Sequence, residues 1–309
     1  MSTYNGEKYL ADQIESIRSQ TFGNFVLYVR DDGSRDSTLS ILDKYETLDS
    51  RIKVLKGNSI NLGVTASFLE LLYKVSADIY FFCDQDDLWE ANKIETLSKH
   101  FENNSNKFPL LVHSDLNLID SKGKSLGSTF NLSEDLIFPK DYNSRQALLQ
   151  NSIVGCSLAF NQALRDVALK GYENRHKIAL HDWWIALCAL YFGEVVYLDT
   201  PLINYRQHEN NVSGTSKKMS IPLIVKRVKS ISRYKSYKER IISQLELFMD
   251  CFANNLDVES VNDMAELLNF LKYGGIGTVF KVFFSSKKII KFKSWYMNFL
   301  IFGMSTEQK

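Results

Sequence analysis

The chain has 309 residues, 45% hydrophobic and 24% charged: enough apolar material for one large domain or a domain with an appendage, and too much for a disordered polyelectrolyte. A net charge of +1 argues against wholesale nucleic-acid binding. The four cysteines, Cys83, Cys156, Cys188 and Cys251, form no CxxC pair, so neither a zinc site nor a disulfide framework is indicated and a reducing cytoplasm is expected.

The first third alternates two periods. Leu10, Ile14 and Ile17 recur at helical spacing, and Phe25 to Val29 is a continuous apolar run of the kind buried on both faces of a sheet. Asp31-Asp32-Gly33-Ser34 ends that run, and a second helix places Leu39, Leu42 and Tyr45 on one face. Ile52 to Leu55 is a short strand, and Phe68, Leu71, Leu72 and Val75 mark a third helix. Ile79 to Cys83 is another buried strand, ending at Asp84-Gln85-Asp86-Asp87; a helix with Ile94, Leu97 and Phe101 follows, and Leu110-Leu111-Val112 starts the next strand. This alternation predicts an α/β fold with a mainly parallel sheet, whose ligands bind beyond the carboxyl ends of the strands. Both acidic motifs sit at such ends.

Residues 121–143, with Gly123, Gly127 and Pro139, read as a long loop. A helix near 144–150, a strand near 157–160 and a helix near 182–191 come next, and after Tyr205-Arg206-Gln207-His208 the alternation stops. The expected division is a catalytic domain at 1–216 and a helical, basic region at 217–309. From Lys217 on there are 16 Lys/Arg and 8 Asp/Glu, against 21 and 28 before it. Six lysines and no acid lie between Lys272 and Lys293, interleaved with Val, Phe and Ile, and Trp295, Tyr296, Phe299 and Phe302 follow. That composition suits a helix on an anionic membrane surface, and equally a helix packed on the protein with a solvated basic face. The opening residues carry no signal-peptide pattern, and the longest apolar run, Trp183 to Phe192, is short of the roughly 20 residues a span needs.

Three carboxylates at the end of an apolar strand repel one another and call for a counter-charge, which a hard divalent cation supplies; one of them capping the next helix is the plainer alternative. Asp31 to Thr38 reads alone as a turn and a cap, or as a carboxylate accepting hydrogen bonds from a base or ribose. Asp182 is either a capping residue or a general base, and Trp183 and Trp184 either pack in the core or face a sugar. Arg206 can grip phosphate bidentately and His208 can ligate a metal.

Taken together, Ser2-Thr3-Tyr4-Asn5-Gly6-Glu7-Lys8-Tyr9-Leu10, Gln20-Thr21-Phe22, Asp31-Asp32-Gly33-Ser34, Asn61-Leu62-Gly63, Asp84-Gln85-Asp86-Asp87-Leu88-Trp89, His181-Asp182-Trp183-Trp184 and Tyr205-Arg206-Gln207-His208 resemble family 2 glycosyltransferases of the GT-A fold over residues 1–215. The chain is most similar to bacterial members described as rhamnosyltransferases of surface polysaccharide synthesis. The resemblance implies a nucleotide-diphospho-sugar transferase whose sheet is flanked by helices, with a helical C-terminal extension. It implies donor binding by Thr3, Tyr4, Asp32, Asp84 and Arg206, and metal binding (Mg2+ or Mn2+) by Asp86, Asp87 and His208. Asp182 becomes the general base, and Gly155, Cys156, Trp183 and Trp184 fall on the acceptor side. The implied partners are a nucleotide-sugar donor such as dTDP-rhamnose and a glycan or lipid-linked glycan acceptor, with inversion at the anomeric carbon. The implied location is cytoplasmic, peripheral on the inner face of the membrane.

One departure stands out. The family's first strand, apolar and leading into Thr3-Tyr4, is not matched by an apolar run ahead of Thr3. Either the start is displaced or a central strand is absent, and the expected consequence is weak stability or a donor-binding protein with little transfer activity.

Overall fold

The computed structural model describes residues 1–56, 60–102, 108–133, 142–208 and 223–273, without the side chains of 223–234. Within them the chain folds as two compact units. One is drawn from Met1–Glu134, Ile153–Arg175 and Leu180–Thr215, the other from Asp135–Ser152, His176–Ala179 and Ser216–Lys309. The second unit thus takes in two segments from the region expected to be wholly catalytic.

In the first unit, β1 (Ser2–Thr3), β2 (Leu27–Asp31) and β3 (Ile52–Val54) form a parallel sheet in that order. The strand without an apolar run ahead of Thr3 is present as the two-residue β1, with Ser2 opposite Arg30 and Thr3 opposite Asp31. The Met1 ammonium donates to Tyr28 O at 2.7 Å, and burial lowers its pKa. The helical spacings resolve into α1 (Leu10–Arg18), α2 (Thr38–Leu48) and α3 (Val64–Lys74), which bury Leu10, Ile14 and Ile17, Leu42 and Tyr45, and Phe68, Leu71 and Leu72. Leu39, expected on the inner face of α2, is exposed.

The second sheet contains β4 (Ile79–Phe81), β5 (Leu88–Trp89), β6 (Leu110–Ile119), β7 (Ser125–Thr129), β8 (Leu158–Asn161) and β9 (Glu194–Arg206), in the order β4-β8-β6-β9-β5 with β7 beside β6. It is mixed rather than mainly parallel. β6 and β9 run parallel, but β8 enters antiparallel between β4 and β6, and β5 runs back along β9. Leu97, Phe101, Leu110, Val112, Ala159 and Leu202 close one side of the core. The expected loop at 121–143 is a hairpin and a helical turn as far as residue 133. Lys122 N and Lys124 N donate to Asp120 Oδ1 at 2.8 and 2.9 Å, Gly123 takes φ +83°, and β7 leads into α5 (Phe130–Ser133). Glycine is needed at 123 because that φ crowds any Cβ. Residues 134–141 lie outside the described residues.

The second unit contains α6 (Ser144–Ala147), whose Asn143 and Gln146 form a reciprocal capping box. Its long helices are α9 (Leu223–Phe252) and α10 (Val258–Tyr273). Arg145 joins this unit together through Glu259 and Asp263, each at 2.5 Å. No helix among the described residues is long and apolar enough to cross a membrane. The lysine-rich stretch expected to lie on a membrane falls outside them beyond Tyr273, and its first lysine, Lys272, pairs with Glu246 at 2.5 Å.

Helices on the first unit's sheets complete the scaffold: α4 (Lys93–Ser98), α7 (Gln162–Ala168) and α8 (His181–Phe192). α8 is buried nearly all round, from His181 through Ala189, as befits a helix whose apolar residues leave no polar face.

Candidate active site

The loop after β2 consumes its own charge. Asp31 Oδ1 accepts from Thr3 Oγ1 at 2.9 Å and Ser34 Oγ at 2.5 Å, and its Oδ2 from the N–H groups of Gly33 and Ser34 at 3.0 and 2.8 Å. Asp32, 3% exposed, accepts from Arg30 Nη1 at 2.5 Å, Leu62 N at 2.7 Å and Gly63 N at 2.9 Å. Its carboxylate therefore ties the Asn61-Leu62-Gly63 loop to the strand end, and is turned into the protein. Thr3, expected at the donor, is likewise buried and committed to Asp31, whereas Tyr4 is half exposed.

The 4–7 loop is laced to the 34–38 loop. Asn5 N donates to Ser34 Oγ, Arg35 N to Asn5 Oδ1 and Gly6 N to Thr38 Oγ1, all at 2.8 Å. Glu7 N donates to Asp36 Oδ2 at 3.1 Å, and Ser37 N to Glu7 Oε2 at 3.0 Å. Asn5 adopts φ +46°, which asparagine tolerates.

The loop after β4 is different. Gln85 pairs its amide with the Tyr4 peptide, accepting from Tyr4 N at 2.9 Å and donating to Tyr4 O at 3.1 Å. A Cβ at Gly6 would overlap that amide, so glycine at 6 is what lets Gln85 reach across. Asp84 is partly exposed, and its carboxylate makes no hydrogen bond among the described residues. Burial first, then the charges of Asp87, Asp86 and Asp182, raise its pKa well above the carboxylate range. Four acids thus converge here. Asp86 Oδ2 lies 2.8 Å from His208 Nε2. Asp87 is fully buried and faces inward: Oδ1 accepts from Arg206 N at 3.1 Å, Oδ2 has no hydrogen-bond partner, and burial with the neighbouring Asp86 pushes the carboxyl up to about 7. The structure therefore groups Asp86 with His208, and Asp87 with Asp84 and Cys156, whose potential ligand atoms lie within 4.8 Å of one another.

β9 delivers Arg206 and His208 beneath this loop. The guanidinium, expected on a diphosphate, is buried; Nε donates to Asp86 O at 2.8 Å and the group lies 4.6 Å over the Tyr9 ring. His208 stacks on the same ring at 5.2 Å. Arg206 thereby holds the acidic loop through the Asp86 carbonyl.

Asp182 occupies the first turn of α8. Its Oδ2 accepts from Gly155 N at 3.0 Å and its Oδ1 from Trp183 N at 2.6 Å. Gly155 acts through its backbone, and a Cβ there would lie 3.0 Å from His181 Nε2 and 3.3 Å from Asp182 Cβ. Cys156 is fully buried. Trp183 and Trp184, expected on the acceptor side, are core residues at 2% and 0% exposure, and Trp184 Nε1 donates to Ala168 O at 2.9 Å. The helix is apolar all round, so the residues following Asp182 turn inward and build no sugar-facing wall. His181, with Phe68 stacked on it at 4.1 Å, is held by burial at a pKa of about 3 and stays neutral.

Gly6, Tyr9 and Gln85 stand inside the motifs that carry the resemblance, but the sequence alone assigns none of them a role; the Gln85–Tyr4 pairing and the stacking of His208 on Tyr9 come from the fold. Among the described residues, the ligand atoms that lie together in the manner of a cation site are those of Asp84, Asp87 and Cys156, with the Asp86–His208 pair as a second group.

A family model described as glycosyl transferase family 2 matches residues 1–169. The chain is 26% identical to the dTDP-rhamnosyl transferase RfbG of Shigella flexneri over 267 residues, 82% of this chain and 87% of that one. It is 25% identical to the putative teichuronic acid biosynthesis glycosyltransferase TuaG of Bacillus subtilis over 219 residues, 70% of this chain and 81% of that one. The crystal structure of S. aureus TarS 1-349 in complex with UDP-GlcNAc is similar with a TM-score of 0.56 at 17% identity, covering 91% of this chain and 74% of that chain, a likeness of GT-A fold.

Proposed function

The chain belongs to glycosyl transferase family 2, and on that premise we propose that it is an inverting, metal-dependent transferase acting in cell-surface polysaccharide synthesis. It moves a sugar, rhamnose from dTDP-rhamnose, to a hydroxyl of a growing, lipid-linked glycan. The observation that carries the reading is that Asp84, Asp86 and Asp87 in the loop after β4 and Asp182 at the start of α8 are near enough for their charges to act together on Asp84. The name of the Shigella flexneri relative supports the sugar and its nucleotide, and the UDP-GlcNAc bound to TarS supports a nucleotide-sugar donor.

In this reading Asp86, Asp87 and His208, with Asp84 beside them, would hold a Mg2+ or Mn2+ ion, which would supply positive charge against the leaving nucleoside diphosphate. The exposed Tyr4 ring offers the base a face, framed by the Asp32-anchored loop. Asp182 takes the proton of the acceptor hydroxyl as that oxygen bonds to the anomeric carbon and the bond to the diphosphate oxygen breaks. The Gly155 and Trp183 N–H groups fix the direction in which it points. A single displacement inverts the anomeric configuration.

The test is a panel of nucleotide sugars with Mn2+ or Mg2+, read by released nucleoside diphosphate. dTDP-rhamnose should be turned over and a chelator should stop it. Asp182→Asn should lower kcat by about 10³-fold while donor binding persists. Release of pyrophosphate, or near-normal turnover by that variant, overturns the assignment.

A further inference from the structure

Lys93 stands at 0% exposure in the first unit. Its residue is fully buried on the apolar face that Ile94 and Leu97 share, where lysine is rarely found. It opens α4, so its charge sits at the positive end of the helix dipole. A methionine would fill the same space at neither cost.

What repays the ammonium lies around the catalytic acids. Nζ donates to Cys156 O at 2.6 Å and sits over the Trp89 ring, 3.3 Å from its centroid. Through Cys156 it adjoins the cluster in which the Asp84, Asp87 and Cys156 ligand atoms lie within 4.8 Å of one another; burial draws its pKa down to about 8, against Cys156, Cys83, Asp87 and Asp84, whose charges raise it. Cys156 belongs to the short 3-10 turn Gly155–Ser157, whose Gly155 N–H holds Asp182 Oδ2. Trp89 lies in β5, which pairs with the β9 strand that carries Arg206 to the acidic loop. One ammonium therefore touches the turn behind Asp182 and the strand beneath the donor-side acids.

We propose that Lys93 is a positioning residue with two effects: its hydrogen bond to Cys156 O fixes the turn that aims Asp182, and its charge is a resident counter-ion that moderates how strongly the acidic rim holds a divalent metal. The first effect rests on the transferase reading of Asp182, and the second does not.

The variants are Lys93→Met, which removes both charge and donor, and Lys93→Gln, which keeps an amide donor and is the milder replacement should the methionine variant fail to fold. Mn2+ alone is titrated into the folded full chain at pH 7 and followed by its paramagnetic resonance signal. Loss of a buried positive charge beside the acids should lower the Mn2+ dissociation constant roughly threefold or more. Turnover of the best donor in the panel should fall about tenfold or more in kcat, with donor KM within about twofold, because misaiming a catalytic group costs rate rather than affinity. A merely structural lysine predicts the opposite sign for the metal, since a loosened site binds Mn2+ more weakly. Unchanged or weaker Mn2+ binding overturns the proposal, as does a kcat within about twofold of wild type. If the wild-type chain turns over no nucleotide sugar, the transferase reading fails by itself and the Mn2+ comparison alone decides the role of Lys93.

Discussion

The loops Asp31–Thr38 and Asp84–Asp87 stand at the carboxyl ends of two buried strands, and each begins with an acid. After β2 the carboxylates of Asp31 and Asp32 meet N–H and O–H donors on every side, an arginine among them. After β4, among the described residues, one carboxylate has no hydrogen bond, one meets a histidine, and one is buried with an oxygen that accepts none. Acids that look equivalent in sequence are thus spent in opposite ways: the first loop uses charge to hold its shape, and the second holds acids whose ionisation burial and mutual repulsion oppose.

Mutations should separate the two. Asp86→Ala should silence transfer, by about 10³-fold or more, with a change in unfolding free energy of about 1 kcal/mol or less. Activity retained above a tenth of wild type would show that the second loop does not carry the metal. Asp32→Asn should do the reverse. It leaves Arg30 buried without its counter-ion and turns an amide N–H toward a backbone donor, costing about 3 kcal/mol in denaturant unfolding, while donor KM of the folded enzyme moves little. A large KM increase at unchanged stability would instead put Asp32 on the base and erase the contrast. Gly6→Ala probes the seam between the loops. The new Cβ displaces the Gln85 amide from the Tyr4 peptide, with an expected loss of about 1–3 kcal/mol.

The smallest effect expected is a slope. Folding raises the Asp87 carboxyl to about 7, from roughly 3.9 in an unfolded chain, so the folded state favours the protonated form. The stability attached to that proton is fully present below about pH 4 and is lost as pH rises through about 7. Without metal, wild type should lose about 1 kcal/mol more than Asp87→Asn between pH 6 and pH 8. Parallel curves would place Asp87 outside the charged cluster.

Much of this was readable from residues alone, because the signals were local. Helical spacing at Leu10, Ile14 and Ile17 and the apolar run into Asp84 locate α1 and β4 closely. What stayed hidden depends on direction and on distant partners. Nothing in Asp182-Trp183-Trp184 says which way the rings face, although the wholly apolar run after them was a sign of an interior helix. The mixed second sheet was illegible because β8 inserts between β4 and β6 from about 80 residues downstream of β4, and no local pattern encodes that pairing. β7 was lost to Gly127, which reads as loop but sits in a strand at φ +70°. Arg206 looked like a phosphate clamp because its burial under the acidic loop is set by β9 pairing with β5, a contact spanning more than a hundred residues.

The seam between the 4–7 and 34–38 loops has one further consequence. Each loop supplies backbone donors to side chains of the other: Asn5, Gly6 and Glu7 in one direction, Arg35 and Ser37 in the return. Neither can detach while the other stays in place without stranding several amides at once. The two loops therefore open as one cooperative unit, so a change at Gly6 is felt at Ser37 without any chain of moving side chains between them.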